Sequence, residues 1–425
     1  MKSRMWWVAG MSVAALVVSA ATAPFAAAEP TDFYTPPTDL PPGSNGDLIK
    51  AEPTSLMLSV PGSNGPWPAT ATKIMYRSED AEGVPVAVTG TYLEPVNPWT
   101  GQGARPMVAA AVGTHGQGDQ CAPSKLFNTG LEYRFPTDVM VGYESIWVNM
   151  LLLNGIAVVV TDYDGLGTPG DHTYVNRAAE AYAVLDSVRA AQQLPNASIS
   201  GNGPVGLWGY SQGGGAAAAA TELKPSYAPE LDLKGTYAGA PPADLAATLA
   251  QVDGTFLTGV IGYALNGILA QYPEVEPLID AEINDRGRQM LAATKNQCVG
   301  ETGLEFGFQD SSSFTKSGES LSAVLARLPL AQEILDEQKI GNLTPTSPVL
   351  IQHGRSDDIV PFGQGQELAR DWCNNGATVQ FSMNELPPII PGMAVNHVAT
   401  YVAGTPESVG YMIDRFNNVP APSNC

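Results

Sequence analysis

Residues 205–221 read VGLWGYSQGGGAAAAAT. The apolar run from Val205 to Trp208 predicts a buried strand. Gly209-Tyr210-Ser211-Gln212-Gly213 follows as a G-x-S-x-G match, and two more glycines lead into a run of alanines. Alanine is the best helix former, so the stretch predicts strand, sharp turn, helix. That is the setting of a nucleophile elbow, which holds a serine hydroxyl above the end of a sheet. The turn is tight, so the residues flanking Ser211 need almost no side chain. The N-terminus of the following helix, where partial positive charge gathers, points at the same place. In a chain with 44 glycines the five-residue pattern alone says little. Its position between a strand and an alanine helix is the signal. The competing reading is an ordinary serine in a glycine-rich turn, and the partners found downstream decide between the two.

The chain is 425 residues long, enough for one large domain with an insertion or for two domains. Its formal net charge of -21 argues against a nucleic-acid partner or an anionic membrane surface. Lys2 and Arg4 precede an uncharged stretch that ends in Ala26-Ala27-Ala28, before Glu29-Pro30. A basic start, an apolar middle and a small-residue site predict a signal peptide over residues 1–28, cleaved near Ala28-Glu29, and hence a secreted protein. Cys121, Cys298, Cys373 and Cys425 remain. An even count in an exported protein predicts two disulfides, with three possible pairings. No C-x-x-C is present, so neither a zinc site nor a redox pair is indicated. No cofactor or metal is expected, and the chain reads as a monomer.

Residues 29–68, rich in Pro, Gly, Ser and Asp, are expected to wrap the surface without regular structure. Strands are expected at 72–77, 84–93, 107–112, 156–161, 231–237, 349–352 and 379–383. Helices are expected at 143–153, 177–193, 364–373 and 408–416. Strands alternating with helices imply an α/β fold with a mostly parallel sheet covered on both faces. The alternation breaks once: from 241 to 342 no strand is convincing. A segment that long needs structure of its own, so it reads as a helical cap inserted between sheet regions 29–240 and 343–425. Its stretch 256–269, FLTGVIGYALNGIL, carries no charge. It serves either as buried packing or as an apolar wall facing a substrate.

A serine hydroxyl becomes nucleophilic when a base takes its proton, and the base needs a carboxylate to fix its tautomer. In this architecture the order is Ser, acid, His. Only four histidines are present. His115 and His172 precede Ser211, and His353 precedes every good acid candidate, so His397 remains, on a loop after the last strand. The acid belongs just past the strand that ends at Gln352. Asp357 and Asp358 compete there. The pattern G-x-x-D-x-x-V-P, from Gly354 to Pro361, places Asp357 at the turn and leaves Asp358 to face solvent or cap the next element. An oxyanion needs two donors. One is the N–H of Gln212; the other belongs to the loop Thr114-His115-Gly116, from either His115 or Gly116.

Gly165-Leu166-Gly167-Thr168-Pro169-Gly170 matches G-x-G-x-x-G after a strand. Pro169 and the residues behind it delay any helix, so a dinucleotide site is not indicated, and the loop is expected to border the mouth of the site. Asp162-Tyr163-Asp164-Gly165 lacks the other ligands of a calcium loop.

The segments GYSQGG, YAPELDLKGTYAGAPPADL, HGRSDDIVP and NHVAT together resemble the secretory lipase family over nearly the whole mature chain. The resemblance implies an α/β-hydrolase core with a helical cap, a triad of Ser211, Asp357 and His397, and pairing of Cys121 with Cys298 and Cys373 with Cys425. It departs at the C-terminus, where a yeast member continues into a flap over the entrance and this chain ends. The function implied is hydrolysis of acylglycerols or other lipid-like esters through an acyl-enzyme, with transient contact at a lipid interface. The alternatives are an envelope acyltransferase using the same residues, and an extracellular binding protein with a silent site.

Overall fold

The computed structural model describes residues 32–58 and 65–425. The expected signal peptide lies outside the described residues. The described residues form eleven strands: β1 Leu48–Thr54, β2 Ala69–Glu79, β3 Pro85–Pro95, β4 Met107–Ala111, β5 Leu131–Arg134, β6 Asp138–Val141, β7 Ala157–Thr161, β8 Pro204–Tyr210, β9 Asp232–Gly239, β10 Val349–Gly354 and β11 Val379–Asn384. Nine form one sheet in the order β1-β2-β3-β7-β4-β8-β9-β10-β11, and β5 and β6 form a separate hairpin. β1, β2, β3 and β7 pair antiparallel. From β7 to β11 all pairings are parallel.

The parallel strands are apolar throughout because both their faces are covered; every residue of β4 and β7 is buried. Helices Arg177–Gln192 and Gln212–Tyr227 pack on one face of the sheet. Helices Ser145–Leu153 and Val395–Phe416 pack on the other. Trp208 of β8 marks the second face: its ring stacks on Trp147 at 3.6 Å between centroids. The chain leaves β4 toward β7 and then returns past β4 to β8. That reversal opens a crevice at the carboxyl ends of β4 and β8, where open α/β sheets bind ligands.

Between β9 and β10 seven α-helices and no strand occur, from Leu245–Val252 to Pro329–Glu337. They have their own core, built on Ile261, Leu265, Met290, Phe306 and Phe314, and Ile359, Val360 and Ala394 of the sheet domain join it. Disulfides close Cys121 to Cys298 and Cys373 to Cys425. The first spans a sequence separation of 177 and staples the loop after β4 to the inserted helices. In a chain-entropy account, Cys121→Ala/Cys298→Ala should lose about 2–5 kcal/mol of stability, read from the urea midpoint. The matching variant of Cys373 and Cys425, with a separation of 52, should lose about 1 kcal/mol less.

Two expectations fail. Residues 29–68 are not free of regular structure: β1 adds to β2 as an edge strand, half exposed and carrying Lys50, Glu52 and Pro53, which are edge-strand residues and conceal the pattern. The closing helix begins at Val395, not at 408. It runs through Pro406, a residue that reads as a break in sequence.

Candidate active site

Ser211 stands between β8 and helix Gln212–Tyr227 with φ 59° and ψ -126°. A non-glycine residue held there costs about 1–3 kcal/mol and persists only where its surroundings impose it. They do: the Ser211 N–H donates to the Gly239 carbonyl at 2.9 Å, and its carbonyl accepts the Gly215 N–H at 3.0 Å. The neighbours must be glycine. A Cβ on Gly209 would collide with the carbonyl of Gly213, and one on Gly213 with the carbonyl of Ala111. The glycines of the pattern are therefore a packing requirement between β4, β8 and the helix.

His397 lies in the first turn of helix Val395–Phe416, not on a loop. Its ring Nδ1 donates to Asp357 Oδ2 at 2.8 Å, which leaves Nε2 for the cavity that both His397 and Ser211 line. The carbonyl of His397 accepts from Tyr210 Oη at 2.8 Å, so β8 fixes the helix as well as the serine. Asp357 Oδ1 accepts the N–H groups of Ile359 and Val360, both at 2.9 Å. Burial acts to raise this carboxyl. The facing His397 ring, its hydrogen bond, His353 and the backbone donors outweigh burial and hold the carboxyl below its ordinary range. Asp358 neither faces solvent nor caps the next element. It is buried, and its Oδ1 accepts the His397 N–H at 3.2 Å. It thus caps the helix that carries the imidazole, where a carboxylate is favoured. Sequence reasoning gave no role to His353. Its Nε2 donates to the Val360 carbonyl at 3.0 Å and lies 3.7 Å from Asp357 Oδ2. Burial pushes this ring below its usual range, and its bond to the Val360 carbonyl braces the Asp357 turn.

The loop after β4 is clamped from behind. Glu144 Oε1 accepts the Gly113 N–H at 3.1 Å, and Glu144 Oε2 lies 3.3 Å from His115 Nε2. His115 Nδ1 donates to the Gly113 carbonyl at 2.8 Å. Burial opposes charge on His115, and Glu144 overcomes it, so the pKa of the ring stands above its usual range. The structure places His115 and Gly116 behind the cavity wall. The His115 carbonyl accepts from Val299, and Gly116 pairs with Cys298. Gly113 and Thr114 are the residues of this loop that line the cavity. Gln212 opens its helix, so its N–H has no partner inside it, and Gln212 also lines the cavity.

The Gln212 side chain is locked as well. Its Nε2 donates to Glu180 Oε1 at 2.7 Å and to His172 Nε2 at 3.1 Å. His172 can accept there because its Nδ1–H is given to the Asp164 carbonyl at 2.9 Å. Burial drives this histidine down to about 4, and burial drives Glu180 up to about 8. The folded state therefore keeps the Glu180 proton longer than the unfolded state does. Stability from this group falls as pH rises from the ordinary carboxylate range to about 8. Glu180→Gln keeps the acceptor oxygen and removes the titration. It should melt above the wild type at about pH 9 and with it at about pH 5, in paired thermal scans. The 165–170 loop does not border the mouth; none of its residues lines the cavity. Tyr174 and Val175 beyond it do.

The cavity has a volume of about 580 Å³, within the usual range for small-molecule sites. Among the described residues, His397 and Glu144 are the only ionisable ones besides tyrosines that line it. The stretch 256–269 plays both expected parts. Leu257, Val260 and Ala264 face the cavity, whereas Tyr263 and Asn266 are buried in packing.

This sheet, with its elbow and its inserted helices, is that of an α/β-hydrolase. Residues 132–424 match the secretory lipase family, and the chain belongs to it; by family it is a hydrolase of the lipase and esterase type. The chain is similar to a secreted triacylglycerol lipase of Malassezia furfur, 26% identical over 401 residues, covering 92% of this chain and 77% of that protein. It is also similar to a probable inactive lipase of Mycobacterium tuberculosis, 27% identical over 392 residues, covering 91% and 82%. Lipase A of Candida antarctica in its closed state shares the fold, with a TM-score of 0.77 at 23% identity over 93% of this chain and 88% of that one.

Proposed function

We propose that this protein is a secreted carboxylic-ester hydrolase acting on acylglycerols or similar lipid-like esters through an acyl-enzyme. Ser211 Oγ attacks the ester carbonyl carbon while its proton passes to His397 Nε2. The bond to the alcohol oxygen then breaks, and that proton leaves with the alcohol. Water repeats the sequence on the acyl-serine and frees the acid. Asp357 holds the imidazole in the tautomer that can accept. The Gln212 N–H meets the oxyanion, and Thr114, which lines the cavity on the facing loop, supplies the second donor. The supporting observation is that a strained serine and a carboxylate-paired histidine open onto one cavity with an almost wholly apolar wall. Secretion agrees with the family and with two closed disulfides.

Similarity to the inactive relative favours one second reading, a silent site on the same fold. A p-nitrophenyl alkylphosphonate decides between them. Stoichiometric release of p-nitrophenol, with the phosphonyl mass on the tryptic peptide containing Ser211, is expected. An unlabelled peptide with no release would sink the hydrolase reading.

A further inference from the structure

Glu180 is a buried carboxyl on helix Arg177–Gln192. Among the described residues no cation pairs with it; Arg177 of the same helix is bound to Glu222 at 2.6 Å. Two hydrogen bonds instead converge on one of its oxygens. Gln212 Nε2 donates to Oε1 at 2.7 Å, and the Val175 N–H donates to the same atom at 2.9 Å.

Those two donors belong to opposite arms of the reacting centre. Gln212 follows Ser211 and carries the first proposed oxyanion donor. Val175 follows Tyr174, whose hydroxyl pairs with Thr114 Oγ1 at 2.7 Å, and Thr114 carries the second. Thr114, Tyr174, Val175 and Gln212 all line the cavity. Val175 has a φ of 54°, where a β-branched residue is a genuine outlier. Such strain persists only where the surroundings impose it, and the bond to Glu180 holds this N–H in place.

The groups around the cluster offer no charge to offset one on Glu180. Tyr163, His172 and Tyr174 face it from the chain after β7. Burial raises both phenols and drives His172 down to about 4, so all three are neutral at ordinary pH. Asp164 lends His172 its carbonyl; its own carboxyl, which burial pushes up to about 7, is held by Thr173 and the Gly165 N–H and faces Asp80. His115 acts on His172 from the loop after β4 and is itself paired with Glu144.

We propose that Glu180 is a positioning residue for the ester hydrolysis, a single buried carboxyl that ties the Gln212 arm and the Thr114 arm of the oxyanion site to each other. This rests on the ester-hydrolase reading above. As the neutral acid, Glu180 orients both arms without placing charge beside them. Ionised, it keeps the same two N–H donors but sets a negative charge behind the place where the substrate oxygen becomes negative, and the two repel. Burial lifts this carboxyl to about 8. Activity is therefore present below that value and lost as pH rises through it.

The pH profile of kcat for the full chain on p-nitrophenyl butyrate tests this. Wild-type kcat should fall about tenfold or more on the alkaline side, with a midpoint of about 8 and KM nearly constant. Glu180→Leu, which can hold neither donor, should lower kcat roughly ten- to a hundredfold at about pH 7 with KM within a few-fold, less than outright loss of a donor. Glu180→Gln keeps the accepting oxygen and cannot ionise, so it should restore most of that kcat and hold it level across the alkaline range. An alkaline limb that persists in Glu180→Gln would assign it to another group, His115 above all, and overturn the proposal. So would wild-type kcat in Glu180→Leu, or Glu180→Gln as slow as Glu180→Leu. Should the variants not fold, NMR of the wild type with isotope-labelled glutamate carboxyls still decides. One carboxyl titrating in step with kcat is expected; none doing so overturns the proposal. Phosphonate labelling separates the two readings. Ser211 labelled, with a limb unchanged by Glu180→Gln, removes only the role of Glu180. Ser211 unlabelled removes the hydrolase reading and this role with it.

Discussion

Ser211→Ala should lower kcat/KM toward a p-nitrophenyl ester series by about 10⁴- to 10⁶-fold, with the fold intact by circular dichroism. The size follows from the proposed chemistry: without the oxygen no acyl-enzyme forms, and only binding and the oxyanion donors still act on the substrate. Stability should hold or rise. Alanine is no more at ease than serine at φ 59°, but the backbone bonds to Gly239 and Gly215 that impose this angle remain. Equal rates for wild type and variant, across all chain lengths, would place the reaction elsewhere. The same series run on the wild type would give the preferred acyl length.

Asp357→Asn should cost about 10³- to 10⁴-fold in kcat while KM moves only a few-fold. Asparagine keeps the acceptor for Ile359 and Val360, so the turn survives. Its amide cannot accept the Nδ1–H of His397 when it presents its own N–H there, so the ring turns to the wrong tautomer. Asp358 does not stand in, because its carboxylate meets the backbone N–H of His397 at 3.2 Å and not the ring. Asp357 also has a pH signature. Its folded-state pKa is depressed, so its contribution to stability is present above the ordinary carboxylate range and is lost as pH falls through the folded value. Urea titrations should show the wild type losing more stability on acidification than the variant does. A drop in kcat matched by collapse of the melting temperature would reassign Asp357 to a purely structural part.

The sheet was legible in sequence where local composition and burial agree. β4, β7 and β8 are unbroken apolar runs because neighbours cover both their faces. β1 and the β5–β6 hairpin escaped notice because one is a charged edge and the other turns its apolar side to solvent. His397 was picked out by chain order among few histidines, yet its helix was hidden by Pro391 and Gly392 before it and Pro406 within it. The disulfide pairing was accessible only through family resemblance, since four cysteines permit three pairings. His353 braces a turn only four residues on, but nothing local to Glu180, His172 or Asp358 announces their contacts. Each acts on a residue brought near by the fold, and Glu180 in particular sits inside a helix pattern that reads as ordinary. A glutamate buried among Ala179, Ala181, Ala183 and Val184 of its helix was the one available hint.

The staple between Cys121 and Cys298 bears on how a bulky molecule gets in. It anchors the inserted helices beside the Gly113–Gly116 loop, and Ile359, Val360 and Ala394 root them next to Asp357 and His397. A cover pinned on both flanks cannot swing aside like a door on that side. If the proposed activity holds, room for a long substrate chain has to come from sliding among its own helices, while Asp357 and His397 at its roots stay in place.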